Sequence, residues 1–308
     1  MDYPQKLSEQ IFILGNHYFS TYLIIGNRIS ALIEPGISST ANLVIDQIKS
    51  LGTDPSSILK LILTHAHADH VTGAPKLKNL MPWIVVSGSA DTIRLLKKEK
   101  VKELFIREDQ DISSRLKILH NADAPESLRD SLNNLVDETI CPGQRIDLGG
   151  VSLEVINAPG HCIGGLAFWE PEKKALFCSD YLGFFLPFDR FVPNFYVEFQ
   201  DYMTTFESLA KLHPYLVCPG HCGAYFGEDA ISYVDRSRKE IEWIYHRVLE
   251  NNESPNLMDE SLRKELFDRY YLREATMFSE KSTQYCMQLL IRRIVEARGS
   301  LDINQQRI

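Results

Sequence analysis

Residues 59–70 read LKLILTHAHADH, and this stretch constrains the chain more than any other. It begins as an apolar, β-prone run and ends with three histidines and an aspartate in six positions. Side chains alternate faces along an extended segment, so His65, His67 and Asp69 project to one side while His70 turns away as the chain bends. A helix would also make neighbours of 65 and 69, and of 67 and 70. The β-prone run before the motif, and Gly73 and Pro75 after it, favour the end of a strand instead. Four side chains able to ligate a cation then converge from a single loop.

Two later stretches repeat the arrangement. VINAPGH ends in His161 and LVCPGH ends in His221, each an apolar run followed by Pro-Gly-His. ALFCSD likewise closes a strand at Asp180. Binding residues concentrate on loops held at the ends of rigid elements, and mixed imidazole and carboxylate donors are what a divalent transition metal requires. One histidine alone is as readily a satisfied core or surface imidazole. Five of the nine histidines at such positions, with an aspartate between them, form a metal-binding pattern. His17, His120, His213 and His246 lack that context and are expected to be surface or packing residues.

The order of the remaining signals places this motif in an α/β chain. Short β-runs (QIFILG, STYLIIG, SALIEPG) precede a helical pattern near 39–51, then the strand ILKLILT and a further run, WIVVSG. Charge-rich helical segments follow from about 89 to 140, broken at Asn121 and Pro125, and read as an insertion. Strands return with VSLEVIN, LAFWE and KALFCSD, then a helical DYMTTFESLAKLH and the strand YLVCPGH. From Glu228 the pattern is helical, interrupted by ENNESPN at 250–256. Two β-rich blocks flanked by helices suit a layered α/β sandwich, and 308 residues provide a core of substantial size.

A net charge of −8 disfavours nucleic acid and anionic membranes as partners. No apolar run is long enough to cross a bilayer and no leader pattern opens the chain, so a cytoplasmic protein is expected. The six cysteines show no paired spacing and are read as free thiols.

THAHADH, followed in order by His161, Asp180 and His221, resembles the metallo-β-lactamase superfamily over roughly residues 10–230. The resemblance implies an αββα sandwich spanning residues 1–230, with the helical insertion at about 89–140 and a C-terminal helical extension, 231–308, covering the active site. It implies two divalent ions, zinc or iron with manganese also accommodated. His65, His67 and His161 would hold the first, Asp69, His70 and His221 the second, and Asp180 would bridge them. Glu34, in LIEPG, stands where the family often has aspartate, and no ligand role is assigned to it.

Such a pair of ions shares a hydroxide at neutral pH, because metal binding lowers the pKa of water from 15.7 to about 7. Hydrolysis is the implied reaction, with Asp69 as the catalytic carboxylate that orients the hydroxide and passes a proton to the leaving group. True β-lactamases of this fold lack the bridging aspartate, and the flavodiiron branch resembles H-x-E-x-D where this chain has His67. The full ligand set is similar instead to the glyoxalase II, lactonase, phosphodiesterase and thioesterase branches.

The loop YLGFFLPFDRFVPNFY holds seven aromatics in sixteen residues, and Tyr181, Phe184, Phe185 and Phe188 are candidate contacts for an apolar or aromatic acyl group. LFCSDYLG, FESLAKL, CPGHCG and the C-terminal helices together resemble the quorum-sensing 2-aminobenzoylacetyl-CoA thioesterase and its relatives. The expected substrate is therefore a small acyl thioester of CoA or glutathione. The alternatives are a lactone or phosphodiester on the same centre, or a regulatory protein with incidental hydrolysis; a homodimer is an allowed assembly.

Overall fold

The computed structural model describes residues 3–120, 131–186, 190–251 and 260–305. Its first sheet runs in chain order: β1 (Gln5–Lys6), β2 (Ile11–Gly15), β3 (Ser20–Ile25), β4 (Ser30–Ile33), β5 (Ile58–Ile62), β6 (Val85–Gly88) and β7 (Glu138–Thr139). β1 to β4 pair antiparallel and β4 to β7 parallel. The second sheet contains β8 (Arg145–Asp147), β9 (Ser152–Asn157), β10 (Leu166–Glu170) and β11 (Ala175–Ser179). A small hairpin, β12 (Phe184–Leu186) and β13 (Arg190–Val192), stands apart before the sheet resumes with β14 (Leu216–Pro219) and β15 (Tyr225–Phe226). The order across it is β15-β14-β11-β10-β9-β8, with only the β11–β14 pair parallel.

Alternation along the strands explains why the sheets stack. In β3, Tyr22 and Ile24 enter the layer between the sheets, where β9 places Leu153 and Val155, β10 places Leu166 and Phe168, and β11 places Phe177. Leu23 faces the opposite way, into a core shared with the helices α1 (Ala41–Ser50), α2 (Ala74–Leu80), α3 (Ala90–Leu96) and α4 (Glu99–His120). The outer face of the second sheet, through Ala167, Trp169, Leu176, Cys178 and Val217, is covered by α5 (Phe199–Ala210), α6 (Glu228–Asn251), α7 (Glu260–Tyr270) and α8 (Glu280–Gln305). Both faces of both sheets are thus buried, which is the αββα sandwich expected from the sequence.

Two details differ from the sequence reading. The stretch 89–140 is helical only as far as α4 within the described residues. It returns to the first sheet as β7, and Ile140 belongs to the layer between the sheets. The breaks at Asn121 and Pro125, and most of 250–256, lie outside the described residues. Among the described residues no helix is long and apolar enough to cross a membrane. All six cysteines are free.

Candidate metal centre

The loops that follow β5, β9, β11 and β14 meet at one edge of the two sheets. After β5 the chain bends over 65–67, His67 itself being extended, and then closes a single 3-10 turn over Ala68–His70, with the His70 N–H donating to the His67 carbonyl at 3.2 Å. That turn swings His70 back into the cluster, correcting the expectation that it turns away: its ring lies 4.2 Å from that of His65.

The side chains form two groups. Nε2 of His65, Nδ1 of His67 and Nε2 of His161 lie 3.0, 3.1 and 3.1 Å from one another. Beside them, Oδ2 of Asp69 lies 3.5 Å from Nε2 of His70 and 3.4 Å from Nε2 of His221. Asp180 spans both: Oδ1 is 3.4 Å from His221 and 3.7 Å from His70, and Oδ2 is 3.7 Å from His161.

The fit of this arrangement to cations can be tested on its own atoms. His70 Nε2, His221 Nε2 and Asp180 Oδ1 are buried and have no hydrogen-bond partner among the described residues. Burying such groups unpaired costs free energy that a ligated divalent ion removes. The donor set, imidazole with carboxylate, suits zinc, iron or manganese. Both groups can hold a metal ion.

In four of the five histidines the opposite ring nitrogen is held, which aims the other one. His161 Nδ1 donates to the Asn194 carbonyl at 2.6 Å and His221 Nδ1 to that of Tyr18 at 2.6 Å. His65 Nδ1 lies 3.0 Å from the Thr64 hydroxyl. His70 Nδ1 donates to the carboxylate of Glu34 at 2.7 Å, and Glu34 also accepts from Thr64 Oγ1 at 2.8 Å. Glu34 therefore orients a ring of the centre, a role the sequence reading did not assign. Its signal was LIEPG: the residue directly follows β4, with a φ of +66° and a buried side chain. Such partners fix the tautomer and raise ligand basicity.

The two groups differ in charge. Burial, then the neighbouring imidazoles, holds His65 well below the usual histidine range and takes His161 down to about 3. Burial also lowers His67. Burial opposes charge on His70 too, but Glu34, Asp69 and Asp180 outweigh it and hold it up to about 10. His221 is raised by Asp180 and Asp69 against its burial. The Asp180 carboxyl is buried, yet His221 and His70 hold it well below the usual carboxylate range.

His67, Asp69, His161 and Asp180 form the floor of a cavity of about 270 Å³. Leu104, Phe105 and Ile112 of α4 line one wall, and Ser282, Thr283 and Tyr285 of α8 another. Of the four aromatic candidates, Phe184 lines the cavity. Tyr181 is fully buried beneath it, its hydroxyl donating to the Thr64 carbonyl at 3.1 Å. Phe185 is on the other face of β12, against Phe191 and Tyr225. Phe188 lies outside the described residues. Tyr196 and Asn194 do line it: the Tyr196 ring lies 5.3 Å from that of His161, and its hydroxyl donates to Asn194 at 2.9 Å. His17, His213 and His246 are exposed and belong to neither group, and the His120 side chain is outside the described residues.

Comparisons with known proteins place the chain in a family. A hydroxyacylglutathione hydrolase from Rhodospirillum rubrum is 27% identical over 173 residues, 56% of this chain and 50% of that protein. The beta-lactamase-like protein 2 homolog of Caenorhabditis elegans is 24% identical over 244 residues, covering 78% of this chain and 68% of the relative. The chain thus spans about half the length of the first hydroxyacylglutathione hydrolases it matches. Among solved structures, a metallo-beta-lactamase family protein from Thermus thermophilus superposes with a TM-score of 0.64 at 18% identity, over 96% of this chain and 95% of the other. The family model of the metallo-beta-lactamase superfamily matches residues 17–221, a range that runs from before β3 to the last histidine of the centre, and the chain belongs to that superfamily.

Proposed function

We propose that the protein is a metal-dependent hydrolase that cleaves an acyl thioester with an apolar or aromatic acyl group. The observation that carries this reading is a carboxylate, Asp180, set between two ligand groups at the floor of a largely apolar cavity. His65, His67 and His161 would hold one divalent cation, Asp69, His70 and His221 a second, with Asp180 shared. When bound, such a pair supplies an acidified water as nucleophile and an electrophile for the acyl carbonyl.

The remaining work falls to the chain itself. Asp69 lines the cavity and is positioned to take a proton from the nucleophile and return it to the leaving group. Leu104, Phe105, Phe184 and Phe278 surround the acyl group and exclude water. The hydroxyacylglutathione hydrolases among the relatives support a thioester. No Lys or Arg occurs among the described residues that line the cavity, which weighs against a phosphodiester and leaves the charged part of a CoA or glutathione carrier outside.

The test is thiol release from a panel of acyl-CoA and acyl-glutathione thioesters by protein stripped with a chelator and then reloaded. Release confined to reloaded protein, fastest for apolar acyl groups, is the expected result. Metal bound in stoichiometric amount with no thiol released would sink the thioester reading.

A further inference from the structure

We infer that Glu108 is a specificity-determining residue, selecting acyl groups that carry an ammonium or another hydrogen-bond donor and rejecting anionic ones. The inference rests on the cavity serving as the acyl pocket. Positions 104, 105, 108, 111 and 112 of α4 all line that cavity, the spacing of a single helix face. Leu104, Phe105 and Ile112 make this face apolar, and Glu108 interrupts it at the centre.

The two acidic residues of the face differ. Asp111 is paired with Arg115 at 3.0 Å. The Glu108 carboxyl lines the cavity and makes no hydrogen bond to any described side chain. Burial pushes the carboxyl above its ordinary range, and Arg107 on the same helix offsets this only in part. A carboxyl left in an apolar wall costs free energy unless something pairs with it. Across the cavity stand Ser282, Thr283 and Cys286 of α8, none of them cationic.

The helix is also fixed, so the carboxyl is not free to swing out with it. Asp109, the next residue, is fully buried and accepts from the Ser38 backbone N–H at 2.9 Å, the Ser38 hydroxyl at 2.6 Å and Thr72 Oγ1 at 2.6 Å. Thr72 follows His70 by two residues, so α4 is tied to the loop that carries the metal-ligating side chains. Neighbouring positions on a helix point about 100° apart. Asp109 therefore anchors the helix while Glu108 faces the cavity.

The experiment is calorimetric binding of three probes of equal chain length, a phenylalkyl ammonium, alcohol and sulfonate, to metal-loaded wild-type and Glu108→Gln protein. Metal content and melting temperature are recorded for each protein, and Glu108→Leu serves as a second variant. The wild type is expected to bind the ammonium at least about tenfold more tightly than the alcohol, and to bind the sulfonate more weakly than Glu108→Gln does. Both variants are expected to lose most of the ammonium preference while keeping their metal. Equal binding of ammonium and alcohol by the wild type overturns the inference without recourse to a variant, as does an unchanged ratio in folded Glu108→Gln. The probes require no turnover. An ammonium preference that depends on Glu108 in a protein inactive on thioesters would retire the thioesterase reading and leave the selectivity standing.

Discussion

The floor and the roof of the cavity are built on opposite plans. The floor takes its side chains from short loops at strand ends, with ring nitrogens pinned by backbone carbonyls and by Glu34. The roof takes its side chains from α4 and from α8, elements separated by more than half the chain; α4 packs through Ile112 and Leu116 on Met277, in the 3-10 turn Arg273–Met277 that precedes α8. The difference teaches that, if the cavity is the acyl pocket proposed above, the chemistry and the selection of substrate are separable. On the proposed function, one would be set by rigid sheet edges and the other by helices added around them.

If the separation holds, changes in the floor act on metal and turnover, and changes in the roof on substrate affinity. Asp180→Ala should have the largest effect, lowering kcat by about 10³-fold or more and lowering bound metal, measured by turnover beside elemental analysis. Glu34→Ala comes next. Loss of the His70 partner should weaken metal affinity about 10- to 100-fold in a chelator competition, with the fold intact by circular dichroism. The smallest effect belongs to the roof: Tyr285→Ala, 60% exposed at the cavity's edge, should raise KM about threefold and leave kcat and metal content unchanged. A fall in bound metal in Tyr285→Ala would break the comparison.

The same contrast explains what could be read from the sequence. Strand-end histidines announce themselves because the apolar run, the Pro-Gly turn and the ligand are contiguous, as in VINAPGH and LVCPGH. The alternation that stacks the sheets is equally local, and the layers followed from it. Glu34 was overlooked because its partner, His70, is 36 residues away and reaches it only through the 3-10 turn after His67. The aromatic loop misled in part. Residue parity along β12 sends Phe184 to the cavity and Phe185 to the far side, and composition does not carry parity. Glu108 was invisible for a further reason: a charged residue on a charge-rich helix looks solvated until a second helix packs across from it.

Each ligand group draws two side chains from the loop after β5 and one from the second sheet: His161 joins His65 and His67, and His221 joins Asp69 and His70. Neither group exists in a chain that has emerged only as far as β7. As the polypeptide leaves the ribosome, the first triad is complete in sequence at residue 161 and the second at residue 221. Both still wait for the two sheets to dock. Tight metal uptake would therefore report that docking, and would act as a late clasp on the newly made protein and not as a template for its first strands.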